Sequence, residues 1–374
     1  MYKCLTHPWF QSHQGNIYDG SRGLPWPLYL KINRWFLEDG SPECIFGAAF
    51  AKTTMNLACR GDNTGQICTK HLEWENDCFG IPFAHEKCHQ ARKDTSKRLP
   101  RHCYSNPLDQ QADFSSALFH YFVMYPDVLA DPEGQLFQGG AASVTKSFSR
   151  ALKKIVTAHV TGIEQNYNIK VCDISIHSYR KCAHTRLNCG TTDGPSGAAA
   201  SIRGGHSLGS IRNIYVQQEK ASDYYYGRIL SGLLVNDPKF AVSYPDFIPI
   251  DVESSFTGAG LLIEQVEQDV LRVRKDVDSA LESIFGREIL DNFKTIHVFL
   301  RIGLASHLKH LAEIERYLPY DAKIRQTPLF TNPEVEKLQD HVRIAMPWED
   351  HYIFSRSSQA VCLHMYLCLL RSEG

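Results

Sequence analysis

This sequence predicts a mainly α-helical fold with one small antiparallel β-sheet, and three observations carry that prediction. Segments such as Leu261–Phe285 repeat apolar residues (Val266, Val270, Val273, Val277, Leu281) at helical spacing. Only Leu72–Trp74 and Cys78–Phe83, separated by Glu75-Asn76-Asp77, read as paired strands. Finally, 374 residues with 43% hydrophobic and 22% charged side chains form an ordinary globular composition, which excludes a disordered or fibrous chain.

Taken in order, Pro25–Asp39 places Leu28, Leu30, Ile32, Trp35 and Phe36 on a helical stripe closed by Asp39-Gly40. A second helix is expected over Ile45–Cys59, followed by the hairpin and then by polar, basic sequence up to Pro100. Helices are expected again over Ala112–Met124 and Ala142–Val160. Shorter ones follow over Ser178–Leu187, Ala198–Arg203 and Ser210–Gln218. Beyond the Pro-rich stretch ending at Pro249 come Leu261–Phe285, Ile302–Tyr317, Pro333–Val342 and Ser358–Leu370. At ~150 residues per domain the length suits two domains. The divisions expected are an N-terminal segment 1–24, a domain over 25–230 and an acidic helical C-terminal extension over 231–374.

Charge supports that division. Residues 1–230 hold 25 Lys+Arg against 20 Asp+Glu, whereas residues 231–374 hold 15 against 21, so the net charge of −1 conceals a basic and an acidic part. The basic excess concentrates in Lys87, Arg92, Lys93, Lys97, Arg98 and Arg101, and in Lys146, Arg150, Lys153 and Lys154. Such stripes suit phosphate contact, although each also reads as ordinary solvated surface. The 12 cysteines show no Cys-x-x-Cys and no disulfide-like grouping, so reduced thiols are expected. A zinc site over His85, Cys88, His89, His102 and Cys103 matches no common ligand spacing. No stretch approaches the ~18 apolar residues of a membrane helix, and the first residues lack the apolar core of a secretion signal.

Two stretches carry chemistry. In Ile176-His177-Ser178-Tyr179-Arg180-Lys181, His177 and Arg180 stand three apart and share a helix face, which suits an imidazole and a guanidinium to one phosphate. In Arg203-Gly-Gly-His206-Ser-Leu-Gly-Ser-Ile-Arg-Asn-Ile-Tyr215, nine residues separate His206 from Tyr215. A break at Gly209 would let both reach one site. A phenol near pKa 10 needs cationic neighbours or a base before it can attack at neutral pH. Tyr179 and Tyr224-Tyr225-Tyr226 read as packing residues.

His-x-x-Arg, then Gly-His about 25 residues later, then Tyr nine residues on, resembles the C-terminal signature of the tyrosine recombinases, the phage-integrase-like DNA strand-transfer enzymes. With Gly190-Thr-Thr-Asp-Gly-Pro-Ser196 and Gly227-Arg228, the run is most similar to the eukaryotic, Crypton-type transposon branch, over roughly residues 50–230. The resemblance implies that Arg60, ending Asn56-Leu57-Ala58-Cys59-Arg60, is the family's first arginine. It implies that Lys87, just past the hairpin, is its lysine, with Lys93 as the rival.

On that reading Tyr215 attacks a backbone phosphate and forms a 3′-phosphotyrosyl link with release of a 5′-hydroxyl. Arg60 and Arg180 hold the non-bridging oxygens, His177 assists proton transfer, Lys87 protonates the leaving oxygen and His206 donates a hydrogen bond to the phosphate. The arginines stand where other enzymes use a metal, so neither metal nor cofactor is expected. The implied partner is double-stranded DNA, gripped by Arg92, Lys93, Lys97, Arg98, Lys146, Lys153 and Lys154, with a homo-oligomer (a synaptic tetramer) on the DNA. The implied setting is DNA recombination and integration of a mobile element in a nucleus, or in the cytoplasm if the source is not eukaryotic, without secretion or a membrane. The rival expectation is a transposon-derived DNA-binding protein that does not cut.

Overall fold

The computed structural model describes residues 21–75, 77–82, 100–190, 194–206, 220–248, 263–292 and 294–344. Helix α1 (Trp26–Asp39) begins behind Pro25 and stops at Gly40, whose φ of 64° is cheap only for glycine. Helix α2 (Pro42–Leu57) is apolar or small on nearly every side and is buried almost all round. It therefore forms the axis of the fold, and the single turn α3 (Gly61–Thr64) follows it.

The sheet comes next: β1 (Glu73–Glu75), β2 (Cys78–Ile81) and β3 (Arg101–Cys103), antiparallel in that order. Trp74 faces Phe79, and Gly80 faces His102. The expected hairpin is present. Its third strand was not expected, because Arg-His-Cys behind a basic stretch carries no alternating apolar signal; pairing to β2 creates it.

Helices α4 (Phe114–Met124), α5 (Ala141–Ala158), α6 (Val160–Tyr167) and α7 (Ile176–Cys189) follow, then α8 (Gly197–Arg203) and α9 (Lys220–Leu230). Helices α1, α4, α5 and α7 pack round α2. Phe50 at its centre lies 4.9 Å from the Phe148 ring and 5.1 Å from that of Phe137. Tyr179 is buried in this core, and Tyr226 packs at its edge, as expected of packing residues.

The C-terminal part holds α10 (Ile263–Phe285), α11 (Arg287–Asn292), α12 (Lys294–Lys309) and α13 (Leu311–Tyr317). Two short turns of helix, α14 (Pro328–Thr331) and α15 (Pro333–Lys337), follow them. A two-stranded ladder joins β4 (Asp246–Phe247) to β5 (Val342–Arg343). Helix α12 lies along α4, and Phe299 sits 4.5 Å from the Phe79 ring and 5.5 Å from that of Phe122. The boundary expected at residue 230 thus separates opposite net charges but not two cores: one hydrophobic core runs through both parts. The helix expected over Ile302–Tyr317 is interrupted at His310, whose Nε2 donates to the Asn106 carbonyl at 3.0 Å. The helices expected over Ser210–Gln218 and Ser358–Leu370 lie outside the described residues. No helix among the described residues is long and apolar enough to cross a membrane.

Candidate functional site

The end of α2 organises the site. Ala58 closes the helix in the left-handed region at φ 49°, which turns the chain so that Arg60 stands at the exit as the residue preceding α3. The unsatisfied carbonyls of that helix end are met by two buried arginines from distant segments. Arg101 donates to Leu57 O at 2.9 Å, and Arg203 donates to Asn56 O at 2.8 Å. Cations at a helix C-terminus also suit its negative pole. Arg101, grouped by sequence with the basic run expected to touch DNA, is buried and works inward instead.

Helix α7 brings the second arginine. Ser175 caps it, accepting from the His177 N–H. Arg180 is 8% exposed, and its Nη2 donates to the Gly204 carbonyl at 2.5 Å. That bond ties α7 to the turn Gly204-Gly205-His206. Both glycines are required there. A Cβ on Gly204 would lie 2.1 Å from the His184 ring, and Gly205 has a φ of 67°.

His206, exposed, lies flat against His184 with ring centroids 4.7 Å apart and planes 5° from parallel. Its partial desolvation and the nearby cations Arg180 and Arg60 hold its pKa below the ordinary histidine value. His184 is pushed further, to about 4, by burial and then by His206, Arg180 and Arg101. Both rings are therefore neutral at neutral pH. Arg180 and Arg60 thus both act electrostatically on His206. His184 was missed: its only trace in the sequence is its position one turn past Arg180.

His177 is exposed and lines an open cleft of about 590 Å³ with Gly61, Asp62, Lys146, Arg150 and several hydroxyls of α5. Gly61 follows Arg60 directly, so the cleft adjoins the arginine site. Of the basic residues expected to touch DNA, Lys146 lines this cleft and Lys153 is exposed on α5. Lys154 is otherwise engaged: its ammonium lies 2.7 Å from the Asp39 carboxylate and 3.4 Å from Ser41 Oγ. The sequence could not show this, because Asp39 lies 115 residues away. Lys87, Arg92, Lys93, Lys97, Arg98 and Tyr215 lie outside the described residues, as do His85, Cys88 and His89 of the zinc candidate. The remaining histidine of that candidate, His102, has a carboxylate at each ring nitrogen. The described cysteines are free thiols.

The depressed histidine sets an expected pH response. A folded-state pKa of about 4 against an ordinary 6.5 means that the unfolded chain binds more protons between those values. Stability should then fall as pH drops from 6.5 and level off below 4. After allowance for solvent near this partly buried ring, the contribution is about 1–2 kcal/mol. His184→Phe keeps a flat ring but cannot titrate, so urea unfolding across that window should show a shallower slope. An unchanged slope would mean that His184 contributes nothing to the acid response.

Compared with family models, curated proteins and solved structures, the chain has no match in any of the three.

Proposed function

We propose that this protein cuts and rejoins DNA strands through a 3′-phosphotyrosyl intermediate, as a tyrosine recombinase of mobile-element origin. The observation that carries the reading is that Arg180, bonded to Gly204 beside His206, and Arg60, next in sequence to the Gly61 that lines a cleft with Lys146 and Arg150, both act on His206. Two guanidiniums suit the non-bridging oxygens of a phosphodiester, where charge grows as the phosphorus becomes five-coordinate. Neutral His206 can donate one N–H to the same phosphate.

The step balances without a redox partner. The Tyr215 oxygen bonds to phosphorus, the bond from phosphorus to the 5′-oxygen breaks, the phenolic proton passes to His177, and Lys87 (or Lys93) protonates the departing oxygen. Rejoining runs the same transfers backward. Synapsis by a tetramer and a nuclear setting belong to this reading.

A nicked suicide duplex tests it. The full chain should form an SDS-resistant covalent adduct in excess EDTA, because Arg60 and Arg180 carry the charge stabilisation. Tyr215→Phe should abolish the adduct with DNA affinity nearly intact. Adduct formation that persists in Tyr215→Phe but disappears in Tyr224→Phe or Tyr226→Phe would sink the assignment. DNA binding without any adduct from the wild type would establish the non-cutting reading.

The cleft makes a separate prediction. Deleting one cation that touches a duplex phosphate should reduce the slope of log affinity against log salt by about 0.9. Lys146→Ala with Arg150→Ala should therefore flatten it by roughly two units on every sequence. Lys153→Ala with Lys154→Ala should remove less, because Asp39 already neutralises Lys154. Lys309→Ala with Arg316→Ala, exposed in the C-terminal part, should leave the slope in place. If that last pair flattens it and the cleft pair does not, DNA lies on the other face.

A further inference from the structure

A chain of alternating charges crosses the molecule beside the candidate site. On α8, Arg203 Nη1 lies 2.5 Å from Asp223 Oδ1 of α9. The other oxygen of Asp223 accepts twice from His102, from the backbone N–H at 2.7 Å and from ring Nδ1 at 2.7 Å. Ring Nε2 of His102 meets Glu75 Oε2 at 3.0 Å, and Glu75 in turn accepts from the ammonium of Lys220 on α9. The Tyr224 ring covers the imidazole at 4.1 Å between centroids. The side chains of Arg203, Asp223 and His102 are fully buried.

The hydrogen bonds decide the state of the ring. An ionised carboxylate only accepts, and a neutral imidazole can donate from one nitrogen alone. Asp223 is held ionised: burial raises its pKa, but Arg203 and the His102 bonds overcome this and bring it to about 2. Glu75 is likewise lowered, with Lys220 and His102 outweighing its burial. With acceptors on both sides, both ring nitrogens must carry protons.

We infer that His102 is a buried imidazolium and a positioning residue, clamping the hairpin edge at Glu75 to α8 and α9 and so setting where His206, three residues beyond Arg203, stands. The inference rests on the proposed DNA-cleavage reading only for its effect on rate. Its charge state is independent of that reading. Among the described residues, the charged groups that face the ring are those of the chain just traced: Asp223 and Glu75 directly, with Arg203 and Lys220 behind them. A neutral ring would turn a lone pair toward one carboxylate, and the clamp would open on that side. Hydrogen bonds between buried partners with a charged member are the stronger kind, which suits a joint between a sheet edge and two helices.

The experiment is nitrogen-15 NMR of the histidine side chains in the full chain at neutral pH. His102 is identified by its loss in His102→Gln, or through the backbone if that variant does not fold. The wild type should show two protonated ring nitrogens, and Glu75→Gln only one, since the amide can donate to a neutral Nε2 while every hydrogen bond survives. A single protonated nitrogen in the wild type, or no change in Glu75→Gln, overturns the imidazolium.

The positioning role is read on the suicide duplex. Glu75→Ala, which leaves Nε2 of His102 without its partner, should slow adduct formation about ten- to a hundredfold while DNA affinity stays within about twofold, because a misplaced reacting group costs rate rather than binding. Glu75→Gln, which keeps every hydrogen bond, should stay near the wild-type rate. The two variants differ in whether the bonds to His102 and Lys220 are kept, so rescue by glutamine but not by alanine ties the rate to the clamp. An unaltered rate in Glu75→Ala, or equal slowing in both variants, overturns the positioning role. A wild type that forms no adduct refutes the cleavage reading, and with it this role, while the NMR result alone still decides the charge.

Discussion

Asp223→Asn is expected to destabilise the protein by about 3–5 kcal/mol, the usual cost of removing one partner from a buried ion pair. The side chain is fully buried and takes Arg203 on one oxygen and two His102 bonds on the other. Asparagine keeps the shape and deletes the charge, which leaves Arg203 in the interior without its counterion. Two carbonyls, of Asn56 and His102, still accept from Arg203 at 2.8 and 2.9 Å, so much of its hydrogen bonding survives. The penalty is therefore electrostatic more than steric. Urea unfolding should show a lower midpoint with an unchanged slope.

The pH sign follows from the lowered carboxyl. Its contribution is complete above the ordinary 3.8 and is lost as pH falls towards about 2. The contrasting exposed pair, tested by Lys154→Ala opposite Asp39, should cost no more than about 1 kcal/mol. Equal effects at the two sites would mean that burial does not govern these pairs.

Arg180→Lys is expected to slow adduct formation by about 10³-fold or more, the scale seen when a transition-state cation or donor is removed. Lysine keeps one positive charge but not the planar fork, which serves Gly204 O on one side and has the shape to match phosphate oxygens. Single-turnover kinetics on the suicide duplex would measure the rate, and DNA affinity should change far less. Thermal unfolding of the same variant separates a chemical effect from a folding effect, since the bond to Gly204 also holds the turn before His206. Cleavage near the wild-type rate would leave Arg180 as a structural arginine only.

Helices were legible because their information is local. An apolar residue every three or four positions needs nothing beyond its own segment to bury one face, so α1, α2, α4 and α10 appear close to where periodicity puts them. The same holds for the tight hairpin of β1 and β2, whose partners are a few residues apart. The Gly-Gly before His206 is visible in the sequence, but its purpose is not. Gly204 is needed because a ring from α7 occupies the space of its Cβ.

By itself the sequence determined the helical architecture, the hairpin, the uneven charge and the spacing of Arg60, His177, Arg180, His206 and Tyr215. Only the tertiary structure decided what each charge does. Arg101 and Lys154 belong to runs that look alike in composition, yet one caps α2 from the interior and the other pairs with Asp39. Arg203 and His102, whose partners the sequence does not show, form the buried chain with Asp223 and Glu75. The third strand and the shared core across residue 230 belong to the same class. The physical reason is common to all of them. Periodicity is a property of one segment, whereas burial of a charge is stable only if a partner from another segment is delivered to it, and the fold makes that delivery.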